Sequence, residues 1–282
     1  MILFKHSKDL QAHLIKIKRN DLRIGFVPTM GALHSGHISL IEKSKNETDI
    51  TVSSIYVNPI QFNNPEDYKN YPVKIEADIM MLEKSNCDIL FLPGEKEIYP
   101  DENAKKKHFD IGYLETILEG KYRPGHFQGV CMVVEKLLNI IEPTHLFLGQ
   151  KDFQQSLIIK KLVGLMRKNL EIIIAPTLRE LNGLAMSSRN LRLTDEEKDI
   201  AAELYKSLVQ IKKELAPGEI HALKKRAASK LEDLGFKIDY LEIATTENLE
   251  IIENFTSSNG LIILVAAYLN NVRLIDNLMV TT

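Results

Sequence analysis

Apolar and polar positions along the first two-thirds of the chain fall into two alternating rhythms. Short runs that are apolar almost throughout, at 23–27, 50–56, 89–92, 145–148 and 171–175, read as strands buried on both faces. Between them lie longer stretches with helical spacing, at 36–46, 73–86, 127–141 and 151–168. In 127–141 the residues Val130, Val133, Val134, Leu137, Leu138 and Ile141 keep that spacing without a break. Strands alternating with helices in this way predict an α/β fold: a Rossmann-like parallel sheet with helices on both faces.

After about residue 176 the rhythm changes. Thr194-Asp195-Glu196-Glu197 reads as a capping box, opening a helix with Ile200, Leu204, Leu208, Ile211 and Leu215 on one stripe. Pro217-Gly218 breaks it, and a second helix runs from about 219 to 234 before Gly235. The segments 237–243, 261–268 and 272–279 read as strands, the last two joined by a tight turn at Asn270-Asn271. The expectation is a first domain over 1–176 and a smaller α+β C-terminal domain over 177–282.

Composition narrows the function without choosing it. The 282 residues are 44% hydrophobic and 26% charged with a net charge of −2, so no global basic field points to nucleic acid. Cys87 and Cys131 stand far apart with no C-x-x-C spacing. That fits neither a zinc site nor a disulfide framework, and suits a reducing compartment. The start, MILFKHSKDL, has no long apolar segment, and no run approaches the length of a membrane span. A cytoplasmic protein is the default expectation.

The stretch VPTMGALHSGHISLIEKS, residues 27–44, carries the first chemical signal. It runs from a strand through a loop at 28–35 into a helix, and sets His34 and His37 one turn apart at the helix start. Free N–H groups and the helix dipole favour an anion there, and Gly31 and Gly36 let the backbone approach it. Two imidazoles on that turn can donate hydrogen bonds to phosphate oxygens. A helix cap with solvated rings explains the same residues. A zinc pair would need His at i and i+4 with a third ligand, and no G-x-x-x-x-G-K-[ST] loop occurs.

Three further blocks repeat this pattern of strand, polar loop and helix. Asn58 and Gln61, in Tyr56-Val57-Asn58-Pro59-Ile60-Gln61-Phe62, put neutral hydrogen-bonding groups at a sheet edge, or form a plain turn before Pro59. In Gly149-Gln150-Lys151-Asp152-Phe153-Gln154-Gln155, Lys151 can place a point charge on a phosphate, and Asp152 can cap a helix or meet a ribose. In Leu184-Ala185-Met186-Ser187-Ser188-Arg189-Asn190, two hydroxyls and a guanidinium make a compact phosphate clamp or a polar loop. Arg123-Pro124-Gly125-His126-Phe127-Gln128-Gly129-Val130 heads the 127–141 helix, where packing and capping explain Arg123 and His126 as well as direct function does.

Taken together, Pro28-Thr29-Met30-Gly31-Ala32-Leu33-His34-Ser35-Gly36-His37 and the later blocks resemble the pantoate–β-alanine ligase family. That family belongs to the H-x-G-H superfamily of nucleotidylyltransferases and class I aminoacyl-tRNA synthetases. The resemblance runs in order from Ile24 to about Asn190 and continues loosely to Arg273-Leu274-Ile275-Asp276-Asn277. It implies an ATP-dependent ligase that joins (R)-pantoate to β-alanine through a pantoyl adenylate. It implies ATP contacts from Met30, Gly31, Ala32, Leu33, His34, Ser35, Gly36 and His37, and from Gly149, Gln150, Lys151, Asp152, Leu178, Met186, Ser187, Ser188 and Arg189. His34, His37, Lys151, Ser187, Ser188 and Arg189 would carry the catalysis, and Gln61 and Gln155, assisted by Asn58, would bind pantoate and β-alanine. Magnesium is implied with ATP. Its family ligands lie in an acidic cluster that Glu76-Ala77-Asp78 matches thinly, with Asp78 as the candidate. A homodimer is likewise implied by the resemblance, and because an acyl adenylate is prone to hydrolysis, residues 177–282 are expected to act as a lid. Two competing readings are a nucleotidylyltransferase, against which the Asn58/Gln61 block speaks, and a nucleotide-binding sensor without turnover.

Overall fold

The computed structural model describes residues 1–256 and 260–280. The parallel sheet contains β1 (Ile2–Phe4), β2 (Ile24–Thr29), β3 (Ile50–Ile55), β4 (Ile89–Phe91), β5 (His145–Gly149) and β6 (Glu171–Ala175). Their spatial order is β1-β4-β3-β2-β5-β6, all parallel. The direction of winding reverses between β2 and β5. At such a switch point the loops leaving the carboxyl ends of the strands part, and a ligand crevice opens.

Apolar runs that look featureless in sequence divide cleanly between the two faces, because strand side chains alternate. Phe26, Val52, Ile89, Phe91, Leu146 and Leu148 pack with Leu10 and Leu14 of the helix Ser7–Lys18 and with Val130, Val134 and Leu138 of the helix His126–Ile141. Val27, Ile55, Leu90 and Phe147 point the other way, onto Leu40 and Ile41 of the helix Ser35–Glu47 and Leu82 of the helix Ile75–Lys84.

The chain divides into two compact units. One comprises Met1–Gly149 and Gln155–Pro176; the other takes Gln150–Gln154 together with the chain from Thr177 onward. Asn277 is the reason the short segment groups with the second unit. Its Nδ2 donates to the carbonyls of Gln150 (3.0 Å) and Lys151 (2.9 Å), and its Oδ1 accepts from Gln150 Nε2 at 3.1 Å.

The second unit contains β7 (Gly218–Glu219), β8 (Phe236–Thr245), β9 (Asn254–Phe255), β10 (Leu261–Leu269) and β11 (Val272–Val280). β11, β10 and β8 form an antiparallel sheet in that order, while β7 pairs with β9. The turn between β10 and β11 places Asn270 at φ +50°, a left-handed conformation that Asn tolerates. Leu204, Leu208 and Ile211 of the helix Glu203–Glu214 and Leu231 of the helix His221–Asp233 pack with Ile243, Ile263 and Val265 of the sheet.

Several elements differ from the sequence reading. The single helix expected after Thr194 is two, Asp195–Ala201 and Glu203–Glu214, although its capping box forms as expected: Thr194 Oγ accepts from the Glu197 N–H, and Glu197 accepts from the Thr194 N–H. The helical pattern from 151 begins with a separate 3-10 turn, Gln150–Asp152, and the helix itself is Phe153–Leu165. β1 and the helix Ser7–Lys18 were not expected. That helix is capped from a distance, since Ser7 donates its N–H (2.9 Å) and its hydroxyl (2.8 Å) to Glu97.

The helix His126–Ile141 meets the 3-10 turn Pro59–Gln61 at Gly129, with almost no space between backbones. A Cβ on Gly129 would lie 2.6 Å from both the Cα and the N of Gln61. Gly129→Ala is therefore expected to push the turn off the helix and lower stability by about 1–3 kcal/mol, the usual cost of overpacking. A fall in the denaturant midpoint measures it, and an unchanged midpoint contradicts the close packing.

Candidate active site

The residues between β2 and the next helix form a bend that ordinary side chains resist. Gly31 has φ +79° and Ala32 φ +48°, two successive left-handed residues. A Cβ on Gly31 would lie 2.9 Å from Asp78 Oδ2 and 3.1 Å from Ile55 Cγ2, so the position suits glycine on both counts. The bend is held by Asp78, from the helix Ile75–Lys84. Its Oδ2 accepts the Ala32 N–H at 2.8 Å and its Oδ1 accepts the Leu33 N–H at 2.7 Å. Thr29 adds a third tie, its hydroxyl accepting the Gly31 N–H at 3.2 Å.

These contacts commit both oxygens of Asp78, the candidate magnesium ligand, to the loop. The carboxylate is almost wholly buried, and both oxygens are turned to backbone amides. Burial pushes its pKa above the ordinary carboxylate range, outweighing the two amides that pull it down. Among the described residues, no group of three or more His, Cys, Asp or Glu could hold a metal ion.

The bend delivers His34 and His37 to the start of the helix Ser35–Glu47, with His34 as its N-cap in extended conformation. The His34 N–H donates to His37 Nδ1 at 3.3 Å, and the rings lie 4.0 Å apart between centroids. Because His37 Nδ1 accepts, the neutral ring carries its proton on Nε2. Both rings are half-buried, and Ser35 beside them is exposed.

Gln61 stands next to this loop, and its orientation is set by its neighbours. The carbonyl of Gly129 can only accept, so Asn58 must present Nδ2 to it, at 3.0 Å. The same Nδ2 donates to Gln61 Oε1 at 3.2 Å. Gln61 Nε2 therefore points away from Asn58, where it donates to the Met30 sulfur at 3.0 Å. Asn58 Oδ1 accepts from the Tyr99 hydroxyl at 3.0 Å and the Ile60 N–H at 3.4 Å. Asn58 is fully buried, and its amide is engaged by Gly129, Gln61, Tyr99 and Ile60.

Gln155 belongs to the same unit and sits half-buried in the first turn of the helix Phe153–Leu165. Gly149, also in this unit, closes β5.

The remaining expected residues lie in the second unit, and β11 organises them. Through Asn277 it holds Gln150 and Lys151, and Asp152 follows on the exposed side of that turn. Asp276, next along β11, grips Arg179 with two bonds of 2.6 and 2.9 Å, while the guanidinium lies 3.6 Å over the Tyr205 ring. Arg179 in turn bridges to Ala185, and the Met186 N–H donates to the Leu178 carbonyl at 3.1 Å. Leu178 and Met186 are thus paired across a small hairpin, with Leu178 exposed. Ser187 caps the following 3-10 turn Ser188–Arg192, its hydroxyl accepting the Arg189 N–H at 3.2 Å. Asn190 Nδ2 ties the turn back to the Ala185 carbonyl at 3.0 Å, and Ser188 is buried within it.

Sequence reasoning missed the supporting roles of Asp78, Tyr99 and Gly129. Gly129 left a readable trace: a glycine inside an otherwise unbroken apolar helix costs about 1 kcal/mol relative to alanine and so signals a close approach. Asp78→Asn would set an NH2 group against one of the two loop amides, at about 1–3 kcal/mol for a buried donor left without an acceptor. The variant is expected to lose that stability and to exchange its Ala32 or Leu33 amide hydrogen faster. Unchanged protection at both amides contradicts the pinning role.

Comparison with known proteins identifies the family. The family model described as pantoate-beta-alanine ligase matches residues 2–279. A pantothenate synthetase from Cytophaga hutchinsonii is 46% identical over 283 residues, covering 99% of each chain. The crystal structure of pantothenate synthetase from Thermus thermophilus superposes with a TM-score of 0.91 at 35% identity, over 100% of both chains. That of the pantoate-beta-alanine ligase from Francisella tularensis, complexed with beta-gamma ATP and beta-alanine, gives 0.83 at 40% identity, over 100% of this chain and 98% of the other. With matches of this extent, the chain belongs to the pantoate–β-alanine ligase family.

Proposed function

We propose that the protein condenses (R)-pantoate with β-alanine at the expense of ATP, through a pantoyl adenylate, releasing AMP and pyrophosphate. The observation that carries this reading is the adjacency of an H-x-G-H helix start and the Gln61 amide, linked through Met30. One supplies donors suited to phosphate, the other a neutral donor suited to a hydroxy acid. A thioether is a weak acceptor, so Gln61 Nε2 can exchange Met30 for a substrate oxygen at little cost.

The chemistry explains why ATP is needed. An amine cannot displace oxide from a carboxylate, whereas AMP is a competent leaving group. The pantoate carboxylate attacks the α-phosphorus and pyrophosphate departs; the amine of β-alanine then attacks the acyl carbon and AMP departs. No covalent enzyme intermediate is required, and the protein's tasks are positioning and charge stabilisation. His37, with its proton on Nε2, and His34 donate to charge growing on the phosphate oxygens. Lys151, Ser187, Ser188 and Arg189 hold the triphosphate, Gly149, Gln150 and Asp152 line its approach, and Leu178 and Met186 lie against the adenine. Gln61 and Gln155 orient pantoate, and Gln61 also meets β-alanine.

Magnesium enters this reading with the nucleotide. Mg²⁺ dehydrates reluctantly and takes substrate phosphate oxygens and waters as ligands, so it needs few groups from the protein. A cytoplasmic location draws support from two buried free cysteines, at home in a reducing compartment. No helix of the described residues is long and apolar enough to cross a membrane. The homodimer rests on the family resemblance alone.

The assay is AMP formation by the purified protein with ATP and magnesium. AMP is expected only when pantoate and β-alanine are both present in turnover, and AMP release that depends on neither acid would refute the proposal. His37→Ala is expected to lower pantoate-dependent pyrophosphate release by about 10²-fold, the scale of one lost preorganised donor. Near-normal release in that variant removes His37 from the catalytic set.

A further inference from the structure

Gln61 is held a second time, by a contact that does not involve its side chain. His126 Nδ1 lies 2.7 Å from the Gln61 carbonyl oxygen, a short bond between buried groups. On the far side of the ring, Arg123 Nη1 lies 3.0 Å from His126 Nε2. A guanidinium only donates and a backbone carbonyl only accepts, so the ring has one workable state: neutral, with its proton on Nδ1 and its lone pair on Nε2. Arg123 is itself held by Glu119, one helical turn earlier, whose carboxylate lies 3.6 Å from Nη1. The Arg123 and Glu119 side chains are only 16% and 9% exposed, so the charges face each other rather than water.

We propose that Glu119, Arg123 and His126 form a positioning chain that fixes the backbone of Gln61 for pantoate. The inference rests on the pantoate role of Gln61 given above. Three constraints meet at this one residue. Gly129 sets how near the turn approaches the helix, His126 anchors the Gln61 carbonyl, and Asn58 orients its side-chain amide. With the main chain held, Nε2 is left to move between Met30 and a substrate. None of the three charged or titratable residues touches the substrate in this account; each acts through Gln61. A displacement of about 1 Å in such a group costs on the order of 10²-fold in rate.

The test compares His126→Leu with His126→Asn in the full-length protein. Leucine removes the donor to Gln61, whereas the asparagine amide can return an N–H to the place of Nδ1. His126→Leu is expected to lower kcat/KM for pantoate by about 10- to 10²-fold while KM for ATP stays near its wild-type value, and His126→Asn to recover most of the loss. A loss shared equally between pantoate and ATP, or no recovery by asparagine, would overturn the chain. A second measurement needs no substrate: the side-chain NH2 signals of Gln61 in ¹⁵N-glutamine-labelled protein, assigned through Gln61→Glu. They should shift and broaden in His126→Leu and return in His126→Asn, and signals unchanged by leucine overturn the proposal. Should His126→Leu not fold, Arg123→Met, which removes the donor that selects the tautomer, is expected to broaden the same signals. Absence of pantoate-dependent turnover in the wild type would defeat the functional reading, and the NMR comparison would still decide the positioning.

Discussion

The first unit's chemistry depends on one buried carboxylate. Gly31 and Ala32 are both left-handed, a bend worth roughly 1–2 kcal/mol of strain at the alanine. Asp78 offsets it with two charge-assisted bonds to adjacent amides, which are among the stronger hydrogen bonds a protein makes. The cost of burying Asp78 shows in its raised pKa, so the carboxylate is retained against its own solvation. What that secures is the turn into the helix start that carries the two imidazoles. Without the pin, β2 would still end at Thr29, but the turn would lose its ties at Ala32 and Leu33 and keep that of Thr29 to Gly31.

A second theme is that polar orientation propagates from backbone atoms. The carbonyl of Gly129 dictates which way Asn58 lies, Asn58 dictates which way Gln61 lies, and Gln61 then presents a donor. The same logic runs through His126, whose tautomer is dictated by a carbonyl on one side and a guanidinium on the other. Side-chain amides and imidazoles have no preferred direction of their own; groups with a single hydrogen-bonding role supply one. In the second unit β11 does equivalent service, with Asn277 holding Lys151's turn and Asp276 holding Arg179.

How much of this could be read from the sequence depends on how local each cause is. The central strands were legible because burial on both faces demands unbroken apolar runs, and the capping box at Thr194 because its two bonds span three residues. The helix Ser7–Lys18 was not, because its cap is Glu97, far along the chain. β1 is three residues pairing only with β4 at the sheet edge, too short to establish a period. The histidine motif was legible as chemistry, while its support was not. An acidic residue such as Asp78 gives no sign in sequence of whether it faces solvent, an ion or a backbone amide. The same holds for Asn58, whose amide meets Gly129, Tyr99 and Gln61.

The central claim is that this constellation activates a carboxylate by transferring adenylate to it. Pantoate labelled with ¹⁸O in both carboxylate oxygens tests it most directly. If the carboxylate attacks the α-phosphorus and AMP is later displaced by the amine, one ¹⁸O appears in AMP and one remains in the amide carbonyl of the product. Label in inorganic phosphate with formation of ADP, or AMP formed without label, would contradict the account.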